Sequence, residues 1–229
     1  MQHIVITGAD GGLGRPVVSK FLEEKYQVHA IVSPKGDEEF TESDNLKVYR
    51  ADLMKEEEAG NTIRKITDNA GEIAGAVLIV GGFGMGTLQE TGLEEMEKMY
   101  RLNFVTAYNC ARPLLIHMEK AKNGGQIVLI GARPGIEPGA AKGMVAYALS
   151  KSLLFRLSEI INETGRKSGI VSSVIVPSII DTPANRESMP DADYSHWVTG
   201  EQIAENILHL FSPAGRHLRE PVLKVYGQS

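Results

Sequence analysis

The stretch Val5–Gly14, VITGADGGLG, decides the fold. His3 to Ile6 reads as a short buried strand, and a helical pattern follows from about Leu13 to Lys25. Between them Gly8, Gly12 and Gly14 give the spacing G-x-x-x-G-x-G. Glycine permits the tight turn and lets a phosphate approach the backbone. The helix then offers free N–H groups and the positive end of its dipole to a pyrophosphate. A lone glycine-rich turn is weak, but a strand before it and a helix after it are the context that a dinucleotide site demands. Asp10 and Leu13 fall within the same cofactor-binding turn.

Outward from this turn, apolar runs alternate with amphipathic stretches. Strands are expected at Gln27 to Val32, Leu46 to Arg50, Ala76 to Val80, Gln126 to Ile130 and Ile170 to Val176, with a last one at Pro221 to Tyr226. Helical patterns cover about Leu93 to Lys120, Met144 to Gly165 and Glu201 to Phe211. Val- and Ile-rich runs of this length suit a parallel sheet buried on both faces. The prediction is α/β: a single-domain Rossmann fold over residues 1–229, with a doubly wound parallel sheet of about seven strands and helices on both faces. Asp181 to Trp197 breaks the alternation. It is polar, holds two prolines, and reads as a lid or binding loop.

Composition narrows the partners. The chain has 229 residues, 42% hydrophobic, and a formal charge of −5, which gives no sign of nucleic acid or an anionic membrane as a partner. The single cysteine, Cys110, excludes an intramolecular disulfide and reads as a buried thiol. The six histidines form no metal-ligand spacing, so no metal site is expected. MQHIVITG lacks the features of a signal peptide, and no run approaches the roughly 20 apolar residues of a membrane span. A cytoplasmic location is expected.

Tyr147 and Lys151 form Y-x-x-x-K in GMVAYALSK. Residues at i and i+4 share a helix face, so an ammonium beside the phenol is expected to lower its pKa from near 10. Such a tyrosine can protonate an atom that gains charge as hydride arrives. The plainer alternative is a core tyrosine with a surface lysine. Val32 ends the second strand where NAD enzymes usually carry an acid. Ser33 and Lys35 follow and can meet a 2′-phosphate, although Lys35 can equally be a solvated loop charge. The pattern favours NADP over NAD, and Asp37 nearby tempers that preference.

With the glycine turn and Y-x-x-x-K in place, the sequence resembles the short-chain dehydrogenases/reductases over nearly its whole length. The resemblance implies an NAD(P)H-dependent oxidoreductase acting on a small molecule. Tyr147, Lys151 and Asn103 are then catalytic, with Asn103 supporting a proton-relay water near the lysine. Asp52 and Leu53 lie where the family holds the adenine, with an N-cap role for Asp52 as a compatible alternative. Gly81, Gly82, Pro177, Ile180 and Thr182 fall at cofactor positions, Thr182 also suiting an N-cap. Ala132, in IGARPG, occupies the position of the family's catalytic serine, and neither Gly131 nor Arg133 replaces its hydroxyl. Removing one oxyanion donor typically costs on the order of 10²–10³ in rate.

Within the family, the chain resembles the quinonoid dihydropteridine reductases, which also lack the serine. GARPG, GMVAYALSK, VGGFG and DTPANRESMPDADYSHW carry that likeness. Phe83 would stack on a flat ring, or simply line the pocket. Arg186 and Trp197 would shape the substrate pocket. Two features depart from the subgroup: Asn103 is retained, and the NADH-selecting acid is absent at Val32. The resemblance also implies a homodimer or homotetramer. A degenerate relative acting as a nicotinamide-binding redox sensor is the alternative, against which the retained tyrosine, lysine and asparagine argue.

Overall fold

The computed structural model describes residues 1–37 and 40–228. Strand β1 (His3–Thr7) leads into helix α1 (Gly14–Glu23), then β2 (Gln27–Val32) and β3 (Leu46–Arg50). Helix α2 (Glu56–Ala70) returns the chain to β4 (Ile73–Leu78). Helix α3 (Leu93–Tyr100), a π-helical turn (Arg101–Val105) and α4 (Thr106–Ala121) run on without a break to β5 (Gly125–Ile130). The short α5 (Pro138–Ala141) and the long α6 (Val145–Gly165) precede β6 (Ile170–Pro177). A lid follows, made of β7 (Ile180–Asp181), α7 (Pro183–Ser188) and β8 (Val198–Thr199). Helix α8 (Gly200–Phe211) and β9 (Val222–Val225) complete the chain.

Seven strands form one sheet in the order β3-β2-β1-β4-β5-β6-β9, every pairing parallel. Alternation along each strand feeds two cores. Ile4 and Ile6 of β1 point toward α1 and α8, where Val17, Phe21, Ile203 and Ile207 are buried. Val5 points to the other face, against Ile63 of α2, Leu114 of α4 and Leu154 of α6. The strand order reverses between β1 and β4. In doubly wound sheets that switch point opens a ligand crevice beyond the carboxyl ends of the strands.

The predicted class and sheet are correct, with differences of detail. Helix α2 was not among the predicted helices. Its buried face is only Ala59, Ile63, Ile66 and Thr67, too sparse to stand out among glutamates. Strand β4 begins earlier than predicted, because Ile73 and Gly75 already pair with the sheet, Gly75 without any side chain. The predicted helix Leu93 to Lys120 is continuous but widens into the π turn at Arg101–Val105. Asp181 to Trp197 is more ordered than a plain loop, since β7 and β8 pair in parallel at its base. Among the described residues, no helix is long and apolar enough to cross a membrane.

Candidate active site

Four loops at the carboxyl ends of the strands meet at the switch point. The first follows β1. Gly8 has φ +63°, a conformation that a side chain disfavours, and a Cβ on Gly14 would collide with the Gly8 carbonyl. A Cβ on Gly12 would lie 2.8 Å from Cγ2 of Thr182, so the turn reaches the lid. This cradle, closed to any side chain and facing the start of α1, fits a dinucleotide pyrophosphate. Leu13 is buried beside it.

The ends of β2 and β3 form the adenosine side. Val32 is buried, whereas Ser33 and Lys35 stand exposed on the following turn. Asp52 is not a helix N-cap. Helix α2 starts beyond it at Glu56, and the Asp52 carboxylate accepts from the Met54 N–H at 3.0 Å. The Leu53 carbonyl accepts from Asn109 Nδ2 at 2.9 Å, which fastens this corner to α4.

The third loop, after β4, meets α6. Asn103 is fully buried at the π turn. Its Oδ1 accepts from the Gly82 N–H at 2.9 Å, and its Nδ2 donates to Ser150 Oγ at 3.0 Å. Ser150 in turn donates to the Tyr147 carbonyl at 2.8 Å. Lys151 is 6% exposed, and its Nζ donates to the Ile130 carbonyl at 2.8 Å. A Cβ on Gly81 would lie 2.6 Å from Asn103 Oδ1 and 3.1 Å from Lys151 Nζ. Thus Gly81, Gly82, Asn103, Tyr147 and Lys151 converge, although three separate elements supply them.

The expected depression of the Tyr147 pKa is not found. Burial pushes the phenol up to about 12 and the Lys151 ammonium down to about 8. Lys151 Nζ stands 6.0 Å from the tyrosine ring centroid, and desolvation outweighs attraction at that separation. The site therefore holds a proton-loaded phenol at neutral pH. Phe83 meets Tyr147 edge-to-face at 5.1 Å and is 60% exposed, so an open aromatic surface borders the phenol.

The fourth component is the loop after β5 together with the lid. Ala132 is buried in extended backbone and brings no hydroxyl. Arg133 is drawn aside: its Nε donates to Glu137 at 2.7 Å and its guanidinium lies 5.1 Å over the Tyr226 ring. In the lid, Thr182 caps α7 by accepting from the Asn185 N–H, and Asn185 Nδ2 donates to the Ile180 carbonyl at 2.8 Å. Arg186 grips Asp181 through two bonds of 2.6 and 2.7 Å and lies over the Tyr194 ring. Tyr194 packs on Trp197, which is 7% exposed. Arg186 and Trp197 thus brace the lid, and the Arg186 side chain remains half exposed. The D-T-P-A-N-R…Y-S-H-W run is spent mostly on the lid's own framework. Pro177 ends β6 beneath it, and Ser178 Oγ donates to the Tyr226 carbonyl at 2.9 Å.

Sequence reasoning missed Ser150 and Asn185, which act through geometry that spacing does not reveal. Cys110 lies apart from the site, and burial pushes its thiol up to about 12.

Residues 2–193 match the short chain dehydrogenase family. A dihydropteridine reductase of Dictyostelium discoideum is 27% identical over 212 residues, covering 90% of this chain and 86% of that protein. A cyclic-di-GMP-binding biofilm dispersal mediator protein of Escherichia coli is 24% identical over 197 residues, covering 85% and 80%. The structure of ElxO with NADP bound superposes with a TM-score of 0.88 at 24% identity, covering 99% of this chain and 97% of that one.

Proposed function

Because the chain belongs to the short-chain dehydrogenase family and is an NAD(P)-dependent oxidoreductase, we propose that it reduces a flat, conjugated small molecule of the dihydropterin type. The observation that carries this reading is the exposed Phe83 ring set against Tyr147, in a chain whose Ala132 brings no hydroxyl. A conjugated imine is already electrophilic and needs less polarisation than a ketone, while a planar ring gains from an aromatic surface. The D. discoideum dihydropteridine reductase supports the same direction.

The Gly8–Gly14 turn and α1 hold the pyrophosphate, and Asp52 and Leu53 border the adenine. Thr182 and Ile180 close over the nicotinamide, beside Gly81 and Gly82. When bound, the reduced nicotinamide supplies the hydride. Tyr147 supplies the proton to the atom that gains the electron pair, which completes a two-electron reduction. Burial keeps its phenol protonated, so the proton is in place for transfer. Lys151 holds positive charge below the phenol and, with Asn103, offers a path for its reprotonation. Phe83 positions the substrate ring.

Exposed apolar side chains on α3, α4 and α6, among them Tyr100, Tyr108, Leu149 and Leu153, support a homodimer or homotetramer. A cytoplasmic location accords with the lone buried cysteine. The sensor reading has a precedent in the name of the E. coli relative, but a sensor has no chemical need for the buried Asn103–Ser150–Lys151 arrangement.

The test is oxidation of NADPH and NADH with quinonoid dihydropterin, comparing wild type with Tyr147→Phe. Turnover lost in the variant is the expected result. Cofactor binding without turnover would remove the pterin reading and direct attention to ketones, quinones and the sensor role.

A further inference from the structure

We propose that Gly86 is a positioning residue of the active site: its backbone caps helix α6 from outside and so holds the Phe83 ring against Tyr147, where a flat substrate is received. The role toward substrate rests on the conjugated-ring reading above. The capping role stands on geometry alone.

Helix α6 carries Tyr147 in its first turn but brings no cap of its own. Its N-cap residue is Met144, which makes no side-chain capping bond. The first N–H groups of a helix have no intrahelical partner. Here the Val145 N–H finds one in the loop after β4, donating to the Gly86 carbonyl at 3.0 Å. The Gly86 N–H donates back to the Gly143 carbonyl at 2.8 Å. Together these bonds make a single parallel bridge between Gly86 and Met144.

The clasp sets the neighbouring side chains. Phe83 lies just before it on one segment and Tyr147 just after it on the other, and their rings meet edge-to-face at 5.1 Å. Between them, a Cβ on Gly143 would lie 3.8 Å from Met85 Cε. Phe83 is largely exposed, so burial does not fix its ring, and the backbone at Gly86 does.

The position admits no side chain. Gly86 has φ +153°, and a Cβ on it would lie 2.7 Å from Thr91 Oγ1. Thr91 is itself held, its Oγ1 donating to the Thr87 carbonyl at 2.7 Å. The Glu90 carboxylate accepts from the N–H and the Oγ of Thr87 at 3.1 and 2.8 Å, which closes the turn behind the clasp. A side chain at position 86 therefore parts the loop from the helix. Helix α6 keeps its other anchors, Lys151 on the Ile130 carbonyl and Ser150 on Asn103.

Reduction of quinonoid dihydropterin by NADPH is measured at steady state for wild type, Gly86→Ala, Phe83→Leu and the double variant. Gly86→Ala should raise KM by about two- to ten-fold, the scale of one aromatic contact, and change kcat by less than about two-fold. In the Phe83→Leu background it should add no further rise, because both changes remove the same contact. A fall in kcat at constant KM, or an equal rise in KM in both backgrounds, would show that Gly86 does not act through Phe83. The second measurement needs no substrate. Hydrogen exchange of the full chain, read by mass spectrometry, should be about three- to ten-fold faster in Gly86→Ala over Gly143 to Ala148, the scale of one lost hydrogen bond, and unchanged over β1 and α8. Unchanged exchange at the start of α6 overturns the capping role. A wild type that does not turn over quinonoid dihydropterin overturns the conjugated-ring reading and the substrate role with it, and the exchange result then decides the cap by itself.

Discussion

Replacing Lys151 by methionine should stabilise this protein at neutral pH and destabilise it in strong alkali. Burial lowers the lysine from 10.5 to about 8. At about 1.4 kcal/mol per pH unit, holding it charged in the folded state costs about 3 kcal/mol. The same Nζ donates to the Ile130 carbonyl. Methionine fills comparable space but leaves that carbonyl unsatisfied, at a cost of about 1–3 kcal/mol. The net gain at pH 7 is about 1 kcal/mol, or roughly 2–4 °C in Tm for a chain of this size. Between pH 8 and 10.5 the unfolded wild type binds more protons than the folded one, so wild-type stability rises with pH relative to the variant. Above pH 10.5 only the unsatisfied carbonyl distinguishes the two, and the variant becomes the less stable protein. Melting curves recorded across this range should cross. Parallel curves, with the variant lower throughout, would show that Lys151 is not held charged at a desolvated site.

Three further outcomes follow from the same structure. Reduction at limiting substrate should decline above pH 8, as Lys151 loses its charge while Tyr147, at about 12, keeps its proton; a profile flat to pH 10 would remove Lys151 from the proton path. Ala132→Ser should raise the rate with simple ketones, recovering part of the roughly 10²–10³ that one oxyanion donor provides, and steady-state kinetics showing no gain on any ketone would count against a carbonyl held at that position. His29 is buried, bonded to His3 and Tyr49, and lowered by that burial to about 4. Its folded pKa lies below the unfolded value, so stability should be lost as pH falls from 6.5 toward 4, by about 3 kcal/mol in all. In urea titrations His29→Gln should show a shallower acid limb, and identical limbs would refute this assignment.

The strands were legible because runs such as His3–Ile6 and Ile170–Val176 are buried on both faces and must be apolar throughout. Helix α2 was harder to read, since two isoleucines carry most of its contact. The Tyr147–Lys151 pair and Asn103 were legible as residue types at spacings. Their electrostatics were not, because desolvation depends on packing from β5 and the π turn, far away in sequence. The lid run showed lineage well and role poorly: the hold of Asp181 on Arg186 and the packing of Tyr194 on Trp197 are invisible in the sequence.

The π turn at Arg101–Val105 makes the site sensitive to length as well as to composition. Such a turn is one residue too many for an α-helical ladder, accommodated by a local widening. Losing one residue there would let α3 and α4 merge into a regular helix. The flanking turns would keep their register, because the widening absorbs the extra residue, and the change would fall on the turn itself. Asn103 and Phe104 would lose their present settings there, Asn103 against Gly82 and Ser150 and Phe104 between Tyr100 and Tyr108. A single missing codon in this segment should therefore do what few point substitutions can, disconnecting the floor of the site while leaving nearly every side chain in the sequence.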